Sequence, residues 1–325
     1  MRIAAGRALL ATLLLLPTGS ASEVAPTAAT VPVEPADEVL SEITITAPEA
    51  RYVSPTRRDR IGRIWAPVMI NGQGPFRLVL DTGATRSAII ASVARRLGLP
   101  LDAEPPMQLR GVTGSAVVPV VKVDSLEVGD LLLKGSRLPI VIDALGGAEG
   151  VLGTEGLADM RIRIDFRADE ITITRSHNQP APPGFITLPV HFTPRRLPLI
   201  DATIGGIRSK AILDTGGQAS IGNNALRDQI LRRRTKQQPT RDEITGATAD
   251  VQVAEGYPAP AVQMGALLVQ GAHVTFGDMH IFEHWKLTRE PVMLIGMDTL
   301  GLLDTMIIDY QRKEIQLRLP KNSRH

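Results

Sequence analysis

The sequence predicts a mainly β protein made of two similar halves. Three observations lead there. Short alternating apolar segments recur around Asn-Gly or Gly-Gly pairs, the pattern of half-buried strands joined by tight hairpins. The same order of segments appears twice, once running into Asp81 and again into Asp214. The 325 residues suffice for about two domains at roughly 150 residues each, and 43% apolar content with only 3% aromatics describes a core of Val, Ile, Leu and Ala.

Taken in order, residues 1–21 read as a signal peptide. Arg2 and Arg7 precede the apolar run Ala8 to Leu16, and the small residues Gly19 and Ala21 place a cleavage site after Ala21. That run is too short for a stable membrane span, so a soluble periplasmic or secreted protein is expected, with an uncleaved anchor as the alternative. Residues 22–60 are rich in Pro, Ala, Thr and Glu and read as a linker or pro-segment, in which only Val39 to Thr46 alternates like a strand. The first lobe is expected over 61–176 and the second over 185–319.

In the first lobe, Ile64 to Ile70 is a strand, Asn71-Gly72 a hairpin turn, and Phe76 to Leu80 a second strand ending at Asp81-Thr82-Gly83-Ala84. The second lobe repeats this with Leu199 to Ile204, Gly205-Gly206, Ala211 to Leu213 and Asp214-Thr215-Gly216-Gly217. A short helix follows each: Ile90, Val93 and Leu97 share a helical face stopped by Gly98 and Pro100, and Asn224 is placed to cap Ala225 to Leu231. Next come Gly111-Val112-Thr113-Gly114 and Ile244-Thr245-Gly246-Ala247, each a turn beside alternating residues, as a mobile hairpin requires. An apolar pair and glycine then appear in each half, Val151-Leu152-Gly153 and Leu294-Ile295-Gly296. The closing hairpins also correspond: Ile164-Asp165-Phe166 with Glu170-Ile171, and Ile308-Asp309-Tyr310 with Glu314-Ile315.

Composition removes several functions. A formal charge of +2 with so few aromatics gives no basis for nucleic-acid binding, and Arg232, Arg233, Arg234 with Lys236 read as a solvated helix end. The absence of cysteine rules out disulfides, thiolate catalysis and Cys-ligated zinc. His280 and His284 are four apart, but Glu283 does not follow the first histidine as a zinc protease requires, so no metal is assigned. No Gly-x-Ser-x-Gly elbow, phosphate-binding loop or dinucleotide fingerprint is present, and no cofactor is expected. Trp65 and Trp285 read as packing residues.

The remaining chemistry is that of two carboxyls. A lone Asp-Thr-Gly can be an ordinary turn, but two copies, each with its apolar strand before and its apolar-apolar-Gly after, indicate a site. Two such loops meeting at a pseudo-two-fold axis would bring Asp81 and Asp214 together, so that one accepts a proton from water while the other donates to a peptide carbonyl. Like charges in contact do not both ionise easily, so the pair titrates as a unit. Gly83 and Gly216 let the backbone turn tightly at the carboxyls, and Thr82 and Thr215 can bond across to the opposite loop. With Ala84 and Gly217 following, neither loop offers a hydroxyl at that position, and activity nearer neutral than strongly acidic pH is expected.

At these residues the chain resembles the retropepsin-like aspartic protease family, in particular bacterial exported members with two such domains in one chain. The resemblance covers about Ile61 to Leu319. It implies acid-protease lobes that are each a closed β-barrel with a short helix, Asp81 and Asp214 activating water, and flaps at Gly111–Gly114 and Thr245–Ala247. It also implies that Gly153 and Gly296 pack behind the active loops, and that the substrate is an extended protein or peptide. Gly217 departs from the small side chain usual in the family, and neither flap carries a tyrosine. The expected state is a monomeric endopeptidase. The alternatives are a catalytically idle peptide-binding module and a protease active only as a homodimer.

Overall fold

The computed structural model describes residues 42–47, 50–55, 65–143, 146–193, 197–233 and 238–320. The signal peptide, most of the linker, residues 61–64, Arg234 and Lys236 lie outside them. Among the described residues no helix is long and apolar enough to cross a membrane.

The first half begins as its alternation demands. Strands Trp65–Ile70 and Gln73–Leu80 pair antiparallel through Asn71-Gly72, with φ of 49° and 69°, the left-handed pair a two-residue hairpin needs. The Asn71 side-chain oxygen also accepts from the amides of Asp124 and Ser125, tying the turn to the next strand. Every second residue, Ala66, Val68 and Ile70, is buried. Six strands close into a barrel in the spatial order Gly150–Leu152, Gln73–Leu80, Trp65–Ile70, Val120–Val128, Leu131–Val141, Ala88–Ile90. Helix Ala91–Arg96 buries Val93 and Ala94 against it and is followed by Gly98 at φ 68°.

The second half repeats the connectivity without the closure. Pro198–Ile204 and Ile207–Leu213 pair through Gly205-Gly206, and Val292–Ile295 runs parallel to Lys210–Leu213, as Gly150–Leu152 runs parallel to Leu78–Leu80. The expectation of a closed barrel in each lobe is corrected here: only the first half closes. Its closure depends on two uninterrupted strands, Val120–Val128 and Leu131–Val141. The corresponding chain of the second half is divided into Val251–Pro258, Val262–Met264, Leu267–Gln270 and His273–Phe276. Pro258 and Pro260 lack the amide hydrogens a continuous strand would donate, and Gly271 turns at φ 75°. These strands instead belong to an open twelve-stranded sheet. The edge at Leu267–Gln270 is covered by Glu42–Ala47, the alternating piece of the leader, which pairs in turn with Ala50–Pro55.

A second correction concerns the helix Asn224–Arg233. Its cap is Asn223: the Asn223 side-chain oxygen accepts from the amide of Leu226 at 2.9 Å, whereas the Asn224 amide donates to Asp278.

The closing hairpins of the halves join in one five-stranded sheet, where Met160–Asp165 pairs antiparallel with Thr305–Asp309 and Ile186–Pro189 adds an edge. Across this seam Arg161 donates to Asp309 at 2.8 Å and to Gln316 at 2.8 Å, while Ser176 and the Arg312 amide also donate to Asp309. Asp309 and Gln316 are fully buried and Arg161 nearly so. A charge pair this deep is tolerated only because each lone pair is matched by a donor.

Candidate active site

Each Asp-Thr-Gly leaves the end of a buried strand, Leu80 in one half and Leu213 in the other. The apolar strands after it hold its backbone in the same way in both halves. Asp81 N–H donates to the Leu152 carbonyl at 2.9 Å and Asp214 N–H to the Ile295 carbonyl at 3.0 Å. Gly153 and Gly296 follow at once and lie against the loops. A Cβ on Gly153 would stand 2.4 Å from the carbonyl carbon of Arg86, and one on Gly296 2.6 Å from the Ala219 oxygen.

The two loops are bonded to each other reciprocally. Thr82 N–H donates to Thr215 Oγ1 and Thr215 N–H to Thr82 Oγ1, both at 3.1 Å. The hydroxyls pass on across the seam, Thr82 Oγ1 to the Leu213 carbonyl at 2.5 Å and Thr215 Oγ1 to the Leu80 carbonyl at 2.7 Å. Both threonines are buried, so every one of these bonds is shielded from competing water.

Locked in this way, the loops bring the carboxyls together. Asp81 Oδ1 accepts from the amides of Gly83 and Ala84 at 2.8 and 2.9 Å, and Asp214 Oδ1 from Gly216 and Gly217 at 3.0 and 3.1 Å. Each glycine lies against the opposite carboxyl: a Cβ on Gly216 would fall 2.2 Å from Asp81 Cγ, and one on Gly83 3.0 Å from Asp214 Cγ. Gly217, the departure at the second loop, is itself tight, since a Cβ there would meet Asp214 Oδ2 at 3.0 Å, and its carbonyl accepts from Met297 N–H.

Behind each loop a serine and an acid support the turn. Ser87 Oγ accepts from Gly153 N–H and Ser87 N–H donates to Glu155; Ser220 Oγ accepts from Gly296 N–H while Ser220 donates its amide and hydroxyl to Asp298. Burial pushes the Asp298 carboxyl above its ordinary 3.8, although bonds from Ser220 and Thr299 favour the charged form. A carboxyl raised in the folded state contributes its stability at low pH and loses it as pH rises through the folded value. Wild-type stability relative to Asp298→Asn is therefore expected to fall from pH 4 to pH 7, measured by urea unfolding of both proteins at each pH; a difference that does not change would contradict this.

Two hairpins cover the carboxyls. Met107–Arg110 and Ser115–Val118 carry the tip Gly111–Gly114, closed by Gly111 N–H to the Gly114 carbonyl at 2.8 Å. Thr240–Thr245 and Val251–Pro258 carry a longer tip from Gly246 to Asp250, so the expected segment Thr245–Ala247 spans a strand end and only the start of the turn. The tips touch: Thr113 Oγ1 donates to the Asp250 carbonyl at 2.8 Å, and a Cβ on Gly246 would fall 2.3 Å from Thr113 Oγ1. Val112 accepts from Ile281 N–H on the helix His280–Trp285. Beneath the hairpins lies a cleft of about 400 Å³ with Asp81 and Asp214 on its wall.

Several cleft residues escaped the sequence reading. Arg86, Arg110, Glu243, Ile281 and Trp285 line it. Trp285 faces the cleft rather than serving only as packing, and Trp65, also read as packing, is 37% exposed under the Arg77 guanidinium. The one available signal for Arg86 was its place five residues after Asp81. Among the described residues no three His, Asp or Glu side chains gather as a metal site.

Residues 66–155, which span most of the first barrel and its Asp81 loop, match the family described as Aspartyl protease. No curated protein matches the chain. This match, together with the closed barrel that carries the Asp81 loop, supports a retropepsin-like aspartyl protease family for this part of the chain.

Proposed function

We propose that the protein is an endopeptidase in which Asp81 and Asp214 act as one unit on a single water. One carboxylate takes a proton from the water as its oxygen attacks the peptide carbonyl carbon. The other, protonated, gives its proton to the carbonyl oxygen, leaving a neutral tetrahedral diol. Collapse of the diol returns the hydroxyl proton to a carboxylate, breaks the C–N bond, and delivers a proton to the departing amine. The observation that carries this reading is the reciprocal Thr82–Thr215 lock, which brings Asp81 and Asp214 together at one cleft. An extended substrate fits beneath the hairpins, which act as flaps and must part at Thr113 and Asp250 to admit it. Both loops come from one chain, which supports a monomer as the active unit. The two lobes are read as related by a pseudo-two-fold axis through the Thr82–Thr215 lock, and export to the periplasm or medium is kept as part of the proposal.

The test is cleavage of a mixed peptide library by the mature chain across pH, with sedimentation of the same sample. Cleavage by a monomer with a bell-shaped pH dependence supports the reading. Cleavage confined to a dimer replaces the monomer, and binding without cleavage replaces the enzyme with a peptide-binding module.

The tightest contact in the site gives a sharper expectation. Gly216→Ala places a methyl on the Asp81 carboxyl and should lower kcat/KM about 100-fold by displacing it, whereas Gly83→Ala, with more room at Asp214, should cost less. Steady-state kinetics of the two variants decides this, and equal effects would contradict it.

A further inference from the structure

The two halves set one pair of backbone positions alike and place unlike side chains on them. Arg86 and Ala219 each lie five residues after their Asp, against Gly153 and Gly296 respectively, and each precedes the serine that anchors the loop. Both line the cleft. Arg86 is exposed, and it has no ion pair or side-chain hydrogen bond among the described residues. A second exposed cation, Arg110, comes down from the first hairpin, and among the described residues its guanidinium bonds only to the neutral Gln108. Among the described residues the matching wall of the second half has no cation: it carries Ala219, the apolar Ile221, Ile281 and Trp285, and the anion Glu243 on its hairpin.

The geometry points to a substrate preference built from this asymmetry. It rests on the cleft being the peptide site proposed above. The first-half side of the cleft selects an acidic side chain of the substrate, read by Arg86 with Arg110, and the second-half side selects an apolar one and repels acid through Glu243. The protein thus cuts between an acidic and an apolar flank, the acid lying to one side of the scissile bond only. An arginine without a partner in a partly enclosed cleft gains most from a carboxylate, which its guanidinium can meet with two hydrogen bonds. Because the selection is electrostatic and the cleft is open to solvent, it should weaken in concentrated salt.

The test walks a single Glu, then a single Lys, through three positions on either side of the scissile bond of an otherwise Ala-Leu peptide. Wild type, Arg86→Gln and Arg86→Glu are compared. Glu on one side should raise kcat/KM about three- to tenfold over Lys, Arg86→Gln should erase most of this, and Arg86→Glu should favour Lys. Anisotropy of the same peptides labelled with a fluorophore reads binding to Asp81→Asn, independent of hydrolysis. Cleavage with less than a twofold charge effect, or with the acidic preference intact in Arg86→Glu, overturns the inference and leaves the protease reading standing. Absence of cleavage with a Glu preference in binding that Arg86→Glu reverses upholds the acidic selection by the Arg86 side of the cleft and overturns the protease reading together with the cutting rule. Absence of both overturns both.

Discussion

Replacing either Asp81 or Asp214 with Asn is expected to lower kcat/KM for peptide cleavage by about 10³-fold or more while leaving the fold almost unchanged. The amide keeps the shape of the carboxyl, and its oxygen can still accept from Gly83 and Ala84, or from Gly216 and Gly217. What disappears is the proton that the two groups share. Neither remaining aspartate can then serve both as acceptor for the water and as donor to the carbonyl. Kinetics on a cleaved peptide, with urea unfolding of each variant as control, checks this. A variant retaining a tenth of wild-type activity with normal stability would show that its aspartate takes no part in proton transfer.

The second large effect is on stability. Asp309→Ala should destabilise the protein by about 3–5 kcal/mol, because it leaves the Arg161 guanidinium buried with its main anionic partner gone. Ser176 and the Arg312 amide lose their acceptor as well. Replacing the pair together, Arg161→Met with Asp309→Leu, should cost much less, since it removes the unpaired charge along with its partner. Urea midpoints of the single and double variants measure this. A loss under about 1 kcal/mol in Asp309→Ala would mean that water reaches the seam and solvates Arg161.

The elements legible in the sequence were those fixed by local chemistry. The Asn71-Gly72 and Gly205-Gly206 turns were readable because few other pairs take two successive positive φ values, and the strands around them because alternation encodes a buried face. The doubled Asp-Thr-Gly placed both loops, and Thr82 and Thr215 make the cross-bonds that their position suggested. The failures lay where neighbours far along the chain decide. Opening of the second barrel follows from Pro258, Pro260 and Gly271, which read locally as loop residues and not as breaks in a strand that the first half keeps whole. Asn223 and Asn224 are equivalent on paper, and Asp278, which takes the Asn224 amide, settles which one caps. Arg86, Arg110 and Trp285 had no motif, and only the folded cleft brings them to the carboxyls. Arg161 and Asp309 meet across 148 residues, a separation that no periodicity reveals.

The central claim is that Asp81 and Asp214 are one catalytic unit, and a double-mutant cycle on kcat/KM tests it most directly. Asp81→Asn, Asp214→Asn and the double variant are assayed on the same peptide, with sensitivity sufficient to follow a loss of about 10⁶-fold. If the two carboxyls share one proton and one water, the first substitution removes the whole effect and the double variant is about as slow as either single one. If the two losses multiply, each aspartate acts independently, and the account of a shared-proton pair is wrong.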